Sequence, residues 1–204
     1  MRPSPFLYTL GSSLYVNLTP ACVGLSLLQS RGPSFAVPPS SGYSPLSEPA
    51  PLPELAAALS SRLAQPPPPR EVCFAGTGDP LQALPALLEL RPLIPPPVPV
   101  RVHTNGLLPA PASVAFALSR AAVSAVTVNL NSADPARYER LMFPGGPPPF
   151  PNPHGRALAF ARACVGEGLA VTLTAVKRPG VDLEAFRDLA GEIGADVKER
   201  SWHP

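Results

Sequence analysis

A chain of 204 residues with 45% hydrophobic and 15% charged residues is long enough to bury one sizeable core. Its formal charge of +2, with Lys177 and Lys198 as the only lysines and the arginines scattered, excludes the electrostatic footprint of a nucleic-acid binder. Three distant cysteines, Cys22, Cys73 and Cys164, exclude a secreted disulfide framework, and no apolar run reaches the length of a membrane span.

Residues 1–10 carry Pro3 and Pro5 and no continuous apolar stretch, a poor signal peptide, so a cytoplasmic protein is expected. The first strand is predicted over 14–19 (LYVNLT), where Leu14, Val16 and Leu18 alternate with polar neighbours. Residues 30–53 are rich in Pro and Ser and are expected to form an irregular, mobile loop. A helix over 52–65 leads to a short apolar strand at 72–75, closed by Gly76. A helix over 81–90 contains Pro85 and is expected to begin at or after it. Strands at 98–104 and 125–131 flank a helix over 111–122. Asp134-Pro135 pairs a capping carboxylate with a proline at the first helical position, starting a short turn through Tyr138 and Leu141. A helix over 154–167 ends at Gly168, and a strand over 169–176 follows. Asp182 caps a last helix over 182–193, with Leu183, Phe186, Leu189, Ala190 and Ile193 on one face and Gly194 at its end. A weaker sixth strand is predicted at 196–200.

The 32 prolines cluster between these elements, as at 66–69, 95–97 and 147–149. Proline fixes φ and lacks a donor, so such runs read as connectors, with recruitment of proline-binding domains as the alternative. Strands alternating with helices imply parallel pairing through right-handed crossovers in a single α/β domain over 1–204. Periodicity alone does not separate an open sheet from a barrel.

Polar residues gather just beyond the C-terminal ends of the strands, the edge where ligands bind in parallel α/β folds. They include Asn17 and Cys22, then Gly76-Thr77-Gly78-Asp79-Pro80, then Thr104-Asn105-Gly106, then Asn129 and Asn131, then Lys177-Arg178. In the Gly76–Pro80 loop, two glycines permit close backbone approach and Asp79 supplies a carboxylate suited to an ammonium group. A tight turn with Asp79 as a helix cap explains the same residues equally well. Neither G-x-G-x-x-G nor G-x-x-x-x-G-K-[ST] is present.

In order and spacing these segments resemble the radical SAM superfamily, and within it the short subfamily associated with TatD-type nucleases. The resemblance covers nearly the whole chain. Residues 14–22 (LYVNLTPAC) are similar to the family's first strand and the start of its C-x-x-x-C-x-x-C loop. Gly76-Thr77-Gly78-Asp79-Pro80 is similar to its G-x-G-E-P, with Asp for Glu. Residues 100–106 (VRVHTNG), 126–132 with Tyr138 and Pro144, 168–180, and Arg200-Ser201-Trp202-His203 are similar to its later strands and exits. The resemblance implies a partial (β/α)6 TIM-like barrel of the radical SAM type with parallel strands. It also implies a [4Fe–4S] cluster on three thiolates and S-adenosylmethionine bound to its open iron.

Here the three motif positions are Cys22, Ser26 and Gln29, and serine and glutamine are poor substitutes for thiolate on soft iron. The expectation is therefore a degenerate metal site at Cys22 with no cluster and no radical catalysis, a pseudoenzyme. A pocket for S-adenosylmethionine or another small molecule is expected at Gly76, Thr77, Gly78, Asp79, Pro80, Thr104, Asn129 and Asn131, or alternatively a scaffold for a protein partner. An active radical enzyme with unusual cluster ligation is the second reading. A different barrel enzyme using His103, His154 or His203 as acid–base groups is the third.

Overall fold

The computed structural model describes residues 4–204, so the first three residues of the 1–10 reading lie outside it. One seven-stranded sheet runs in chain order, β1 (Leu7–Leu10), β2 (Ser13–Val16), β3 (Glu71–Phe74), β4 (Val100–Thr104), β5 (Ala125–Asn129), β6 (Ala170–Lys177) and β7 (Asp196–Ser201). From β2 onward every neighbour is parallel, and β1 and β7 do not pair, so the sheet curls without closing.

The all-parallel expectation needs one correction: β1 pairs antiparallel with β2, Leu7 opposite Val16. A two-residue turn, Gly11-Ser12, joins them with Gly11 at φ +61°. Gly-Ser between two alternating apolar runs is a hairpin signal, overlooked because 1–10 was weighed only as a signal peptide, and found a poor one. The first predicted strand also stops earlier, at Val16, because Asn17 turns its side chain to the neighbouring loops.

Helices α1 (Leu52–Leu63), α2 (Leu84–Leu90), α3 (Pro111–Arg120), α4 (Pro135–Met142), α5 (Pro153–Gly166) and α6 (Leu183–Ile193) fill the crossovers. Their punctuation follows the sequence. Pro85 sits in the first turn of α2, and a 3-10 turn over Pro80–Ala83 precedes it. Asp134 accepts from Arg137 N, Asp182 accepts from Glu184 N and Ala185 N, and Gly194 closes α6 in the left-handed region.

Alternation along each strand divides the sheet into two chemically distinct faces. The outer face places Val72, Phe74, Val102, Val126, Val128 and Leu173 in one core, where they meet Leu55 and Leu59 of α1, Leu118 of α3, Phe160 of α5 and Phe186 of α6. The concave face carries Tyr15, Cys73, Arg101, His103, Thr127, Asn129, Thr174, Lys198 and Arg200. Residues 30–53 contain a 3-10 turn at Pro39–Ser41 and are tied to the sheet edge, with Ala50 N donating to Leu18 O and Leu46 N to Thr77 Oγ1.

His103 shows what the concave face does to a titratable group. Burial, with Arg200, Arg101 and Lys198 beside it, brings its pKa down to about 3 from an ordinary 6.5. Above about pH 6.5 it is neutral in both folded and unfolded chains and contributes no pH dependence. As pH falls toward 3 the unfolded chain takes up the proton first, so stability is lost by up to about 1.4 kcal/mol per pH unit. Urea midpoints between pH 7 and 4 are expected to fall less steeply in His103→Gln than in the wild type. Equal slopes would contradict the assignment.

Candidate ligand site at the strand C-terminal edge

The β3 exit loop is organised by Asp79, which is 3% exposed. Its Oδ1 accepts from Leu81 N at 2.9 Å, capping the turn over Pro80–Ala83. Its Oδ2 accepts from Thr104 Oγ1 at 2.7 Å and Asn105 N at 2.8 Å, at the end of β4. Burial pushes the carboxyl up, against the three donors, which pull it down. Asn105 in turn donates through Nδ2 to Val23 O and toward Cys22 Sγ at 3.5 Å. One carboxylate thus links the exits of β2, β3 and β4.

The glycines serve this closure. A Cβ on Gly78 would stand 2.3 Å from Ala21 O and 2.6 Å from Thr19 O, and one on Gly76 would stand 2.0 Å from Asn17 Oδ1. The close approach allowed here is to the β2 exit loop, sealed by Gly78 N to Thr19 O and Asp79 N to Ala21 O. Thr77 Oγ1 accepts from Leu46 N and from Asn17 Nδ2. Asn129 Nδ2 donates to Ser30 Oγ at 3.2 Å, and Thr174 Oγ1 donates to Asn129 Oδ1. Asn131, at φ +64°, accepts from Val176 N and donates to Met142 Sδ. Asparagine tolerates that left-handed backbone better than most residues. Asp79, Thr104 and the two glycines therefore form one cluster, and Asn129 and Asn131 form another across β5 and β6. Their polar groups are turned to protein partners. The space between Cys22, Gly78, Asp79 and Asn105 is about 10 Å³, the size of a single water.

Ser26 and Gln29 hold each other. Gln29 Oε1 accepts from Ser26 N at 2.9 Å, and Ser26 Oγ accepts from Gln29 N at 3.4 Å. This is a capping box, S-x-x-Q, closing the turn in which Ser30 N donates to Ser26 O. The motif is legible in the sequence once the two residues are not read as substituted ligands. Cys22 is the one thiol of this loop, and burial, then the Asp79 charge, pushes it up to about 12, so it is a thiol at neutral pH. Cys73 lies in β3 with its thiol on Glu71 Oε2, and Cys164 is buried in α5. A cluster needing three thiolates does not fit this donor set. Among the described residues no group of three or more His, Cys, Asp and Glu side chains is placed to hold a metal ion. His154 is held by Ser132 O and packs on Tyr138, and His203 meets Arg31 Nη2, so the three histidines do not converge.

The open space lies above the closed loops. A cavity of about 730 Å³ is lined by Leu28, Gln29, Phe35, Tyr43, Arg140, Arg178 and Trp202, among others. That volume is in the range of small-molecule sites, and its mostly apolar wall with a few polar groups suits them. The Arg178 guanidinium lies 3.8 Å over the Trp202 ring. The rim is fixed by Gly32, where a Cβ would fall 2.0 Å from His203 O, and by His203 N donating to Arg31 O. Trp202 and Arg140 were not among the expected site residues. The signal for Trp202 was an aromatic just after the last strand, at the same edge as the other exits.

No family model and no curated protein matches the chain. Solved structures do. Methylornithine synthase (PylB) superposes with a TM-score of 0.63 at 11% identity, over 94% of this chain and 53% of that one. Streptococcus suis SuiB bound to precursor peptide SuiA gives 0.61 at 16%, over 93% and 39%. The radical S-adenosylmethionine methyltransferase TsrM from Kitasatospora setae, with cobalamin and a [4Fe-4S] cluster bound, gives 0.60 at 14%, over 92% and 36%. The fold is thus the partial, TIM-like barrel of radical SAM enzymes, as the sequence led us to expect. The chain spans well under half the length of SuiB and TsrM. No helix among the described residues is long and apolar enough to cross a membrane.

Gly78→Ala is expected to cost about 1–3 kcal/mol, since the added methyl meets backbone that cannot move aside. Gly166→Ala, with open space around it, is the control and is expected to be neutral or slightly stabilising. Urea midpoints decide, and an unchanged Gly78→Ala would refute the close-approach role.

Proposed function

We propose that this chain is a radical SAM-type barrel that binds a small molecule at the C-terminal edge of its strands and works without an iron–sulfur cluster or radical catalysis. The observation that carries the reading is the Ser26–Gln29 capping box. Two of the three positions expected to supply thiolates are engaged with each other's backbone instead. Tyr43, Thr77, Asn129 and Ser30 further brace the loops over the sheet edge.

The ligand space is the 730 Å³ cavity above these loops. Gln29, Arg140, Arg178 and Trp202 line it and face the ligand, while Asp79, Thr104, Asn129 and Asn131 stand outside its wall and hold the loops of the same edge. An aromatic ring beside two guanidinium groups suits a planar base with a carboxylate or other acceptor attached. S-adenosylmethionine has those parts, and it is the ligand bound in one SuiB structure. It is the first ligand to test, within the class of nucleosides bearing an amino acid or acidic group. A soluble, cytoplasmic setting and the TatD-type association belong to the same reading.

Calorimetric titration with S-adenosylmethionine and S-adenosylhomocysteine tests it. At least one is expected to bind, with affinity reduced about tenfold, or ~1.4 kcal/mol, in Trp202→Ala and Arg178→Gln, and unchanged in Cys22→Ala. No binding by either compound would refute the ligand class. Equal affinity in all variants would move the site elsewhere.

A further inference from the structure

At the opposite end of the same strands the concave face holds a second cavity, polar where the first is apolar. It encloses about 300 Å³ among Arg101, His103, Thr127, Thr172, Lys198 and Arg200. The register explains the convergence. His103, Thr127 and Thr172 sit side by side on β4, β5 and β6, while Lys198 and Arg200 project from β7 on the same face.

The charges here do not balance. Glu71 is the one carboxylate in the lining, and it is already committed to Arg101 at 2.9 Å while also receiving the Cys73 thiol. Lys198 and Arg200 take part in no ion pair among the described residues. Two buried nitrogens have no hydrogen-bond partner, the Arg200 Nε donor and His103 Nδ1, which donates in one of its tautomers, and His103 is only 8% exposed. Buried polar groups are ordinarily satisfied, and an exception asks for a ligand or ordered solvent. Burial, then mutual repulsion, lowers Lys198, and burial, then the Arg31 charge, lowers Arg200. An anion would relieve both effects at once.

We propose that this cavity binds a small molecule through a doubly charged oxyanion, of the phosphate monoester type. Guanidinium and ammonium groups on one side and the Thr127 and Thr172 hydroxyls on the other offer donors from several directions. That arrangement suits a tetrahedral group better than a planar carboxylate. The remaining volume leaves room for a small body attached to the phosphate. None of its lining residues lines the 730 Å³ cavity and no cluster is involved, so it stands apart from the function proposed above, although His103 and Arg200 lie near the C-terminal ends of their strands.

The test is calorimetric titration of the full chain with inorganic phosphate, against chloride at matched ionic strength and with malonate as the dicarboxylate arm. Saturable phosphate binding is expected, weakened at least about tenfold in Lys198→Met, which keeps the apolar stem, and severalfold in Thr172→Val, which keeps the shape. Lys177→Met, removing a lysine paired with Glu199 on the outer face, is expected to bind as the wild type does. Phosphate heat no different from chloride, or equal weakening in Lys177→Met, would overturn the site. Malonate binding more tightly than phosphate would overturn the phosphate assignment.

Discussion

The arrangement of the whole C-terminal edge depends on one buried carboxylate. Asp79 takes three donors from two elements, and no cation stands against it among its hydrogen-bond partners. A buried charge without a counter-ion is tolerated only when hydrogen bonds satisfy it, so Thr104, Asn105 and Leu81 are held where Asp79 needs them. Asn105 then fixes Cys22 and Val23, and the glycines beside Asp79 let the β2 exit loop lie directly on the β3 exit loop. Losing this carboxylate would leave two backbone N–H groups and a hydroxyl buried without their acceptor, a cost of several kcal/mol on the order of 1–3 per group.

That tight seal decides what the edge can do. The exit loops of β2 and β3 pack on one another, and the polar side chains expected as ligand contacts hydrogen-bond to protein groups. The usable space moves outward, to the cavity beneath Trp202 and Arg178, and inward, to the cationic floor of the concave face. The two spaces differ in kind because the strands alternate. The outer face is spent on the core, so every polar residue within the strands that is not outward-facing ends on the concave side.

Much of the fold was legible because its signals are local. The apolar runs at 72–75, 98–104 and 125–131 and the caps at Asp134 and Asp182 each declare an element within a few residues. The β1 hairpin was equally local, in Gly11-Ser12, and was missed because its flanks were weighed as a leader. The site was harder to read. Asp79 offered both a ligand carboxylate and a cap, and the choice depended on Thr104 and Asn105, which the chain brings there only after a full βα unit. Ser26 and Gln29 were visible as departures from a cysteine pattern, but their S-x-x-Q spacing carried its own meaning as a capping box. The cationic floor could not be seen in sequence, because Arg101 lies three βα units from Lys198 and Arg200 and they meet only through register.

The most direct measurement is iron and sulfide content after anaerobic reconstitution, with Cys22→Ala run in parallel. A loop closed by Ser26 and Gln29 around a single protonated thiol predicts only trace iron, the same in both proteins. About four iron and four sulfide per chain in the wild type, lost in Cys22→Ala, would contradict it. It would show that the loop opens and finds other ligands.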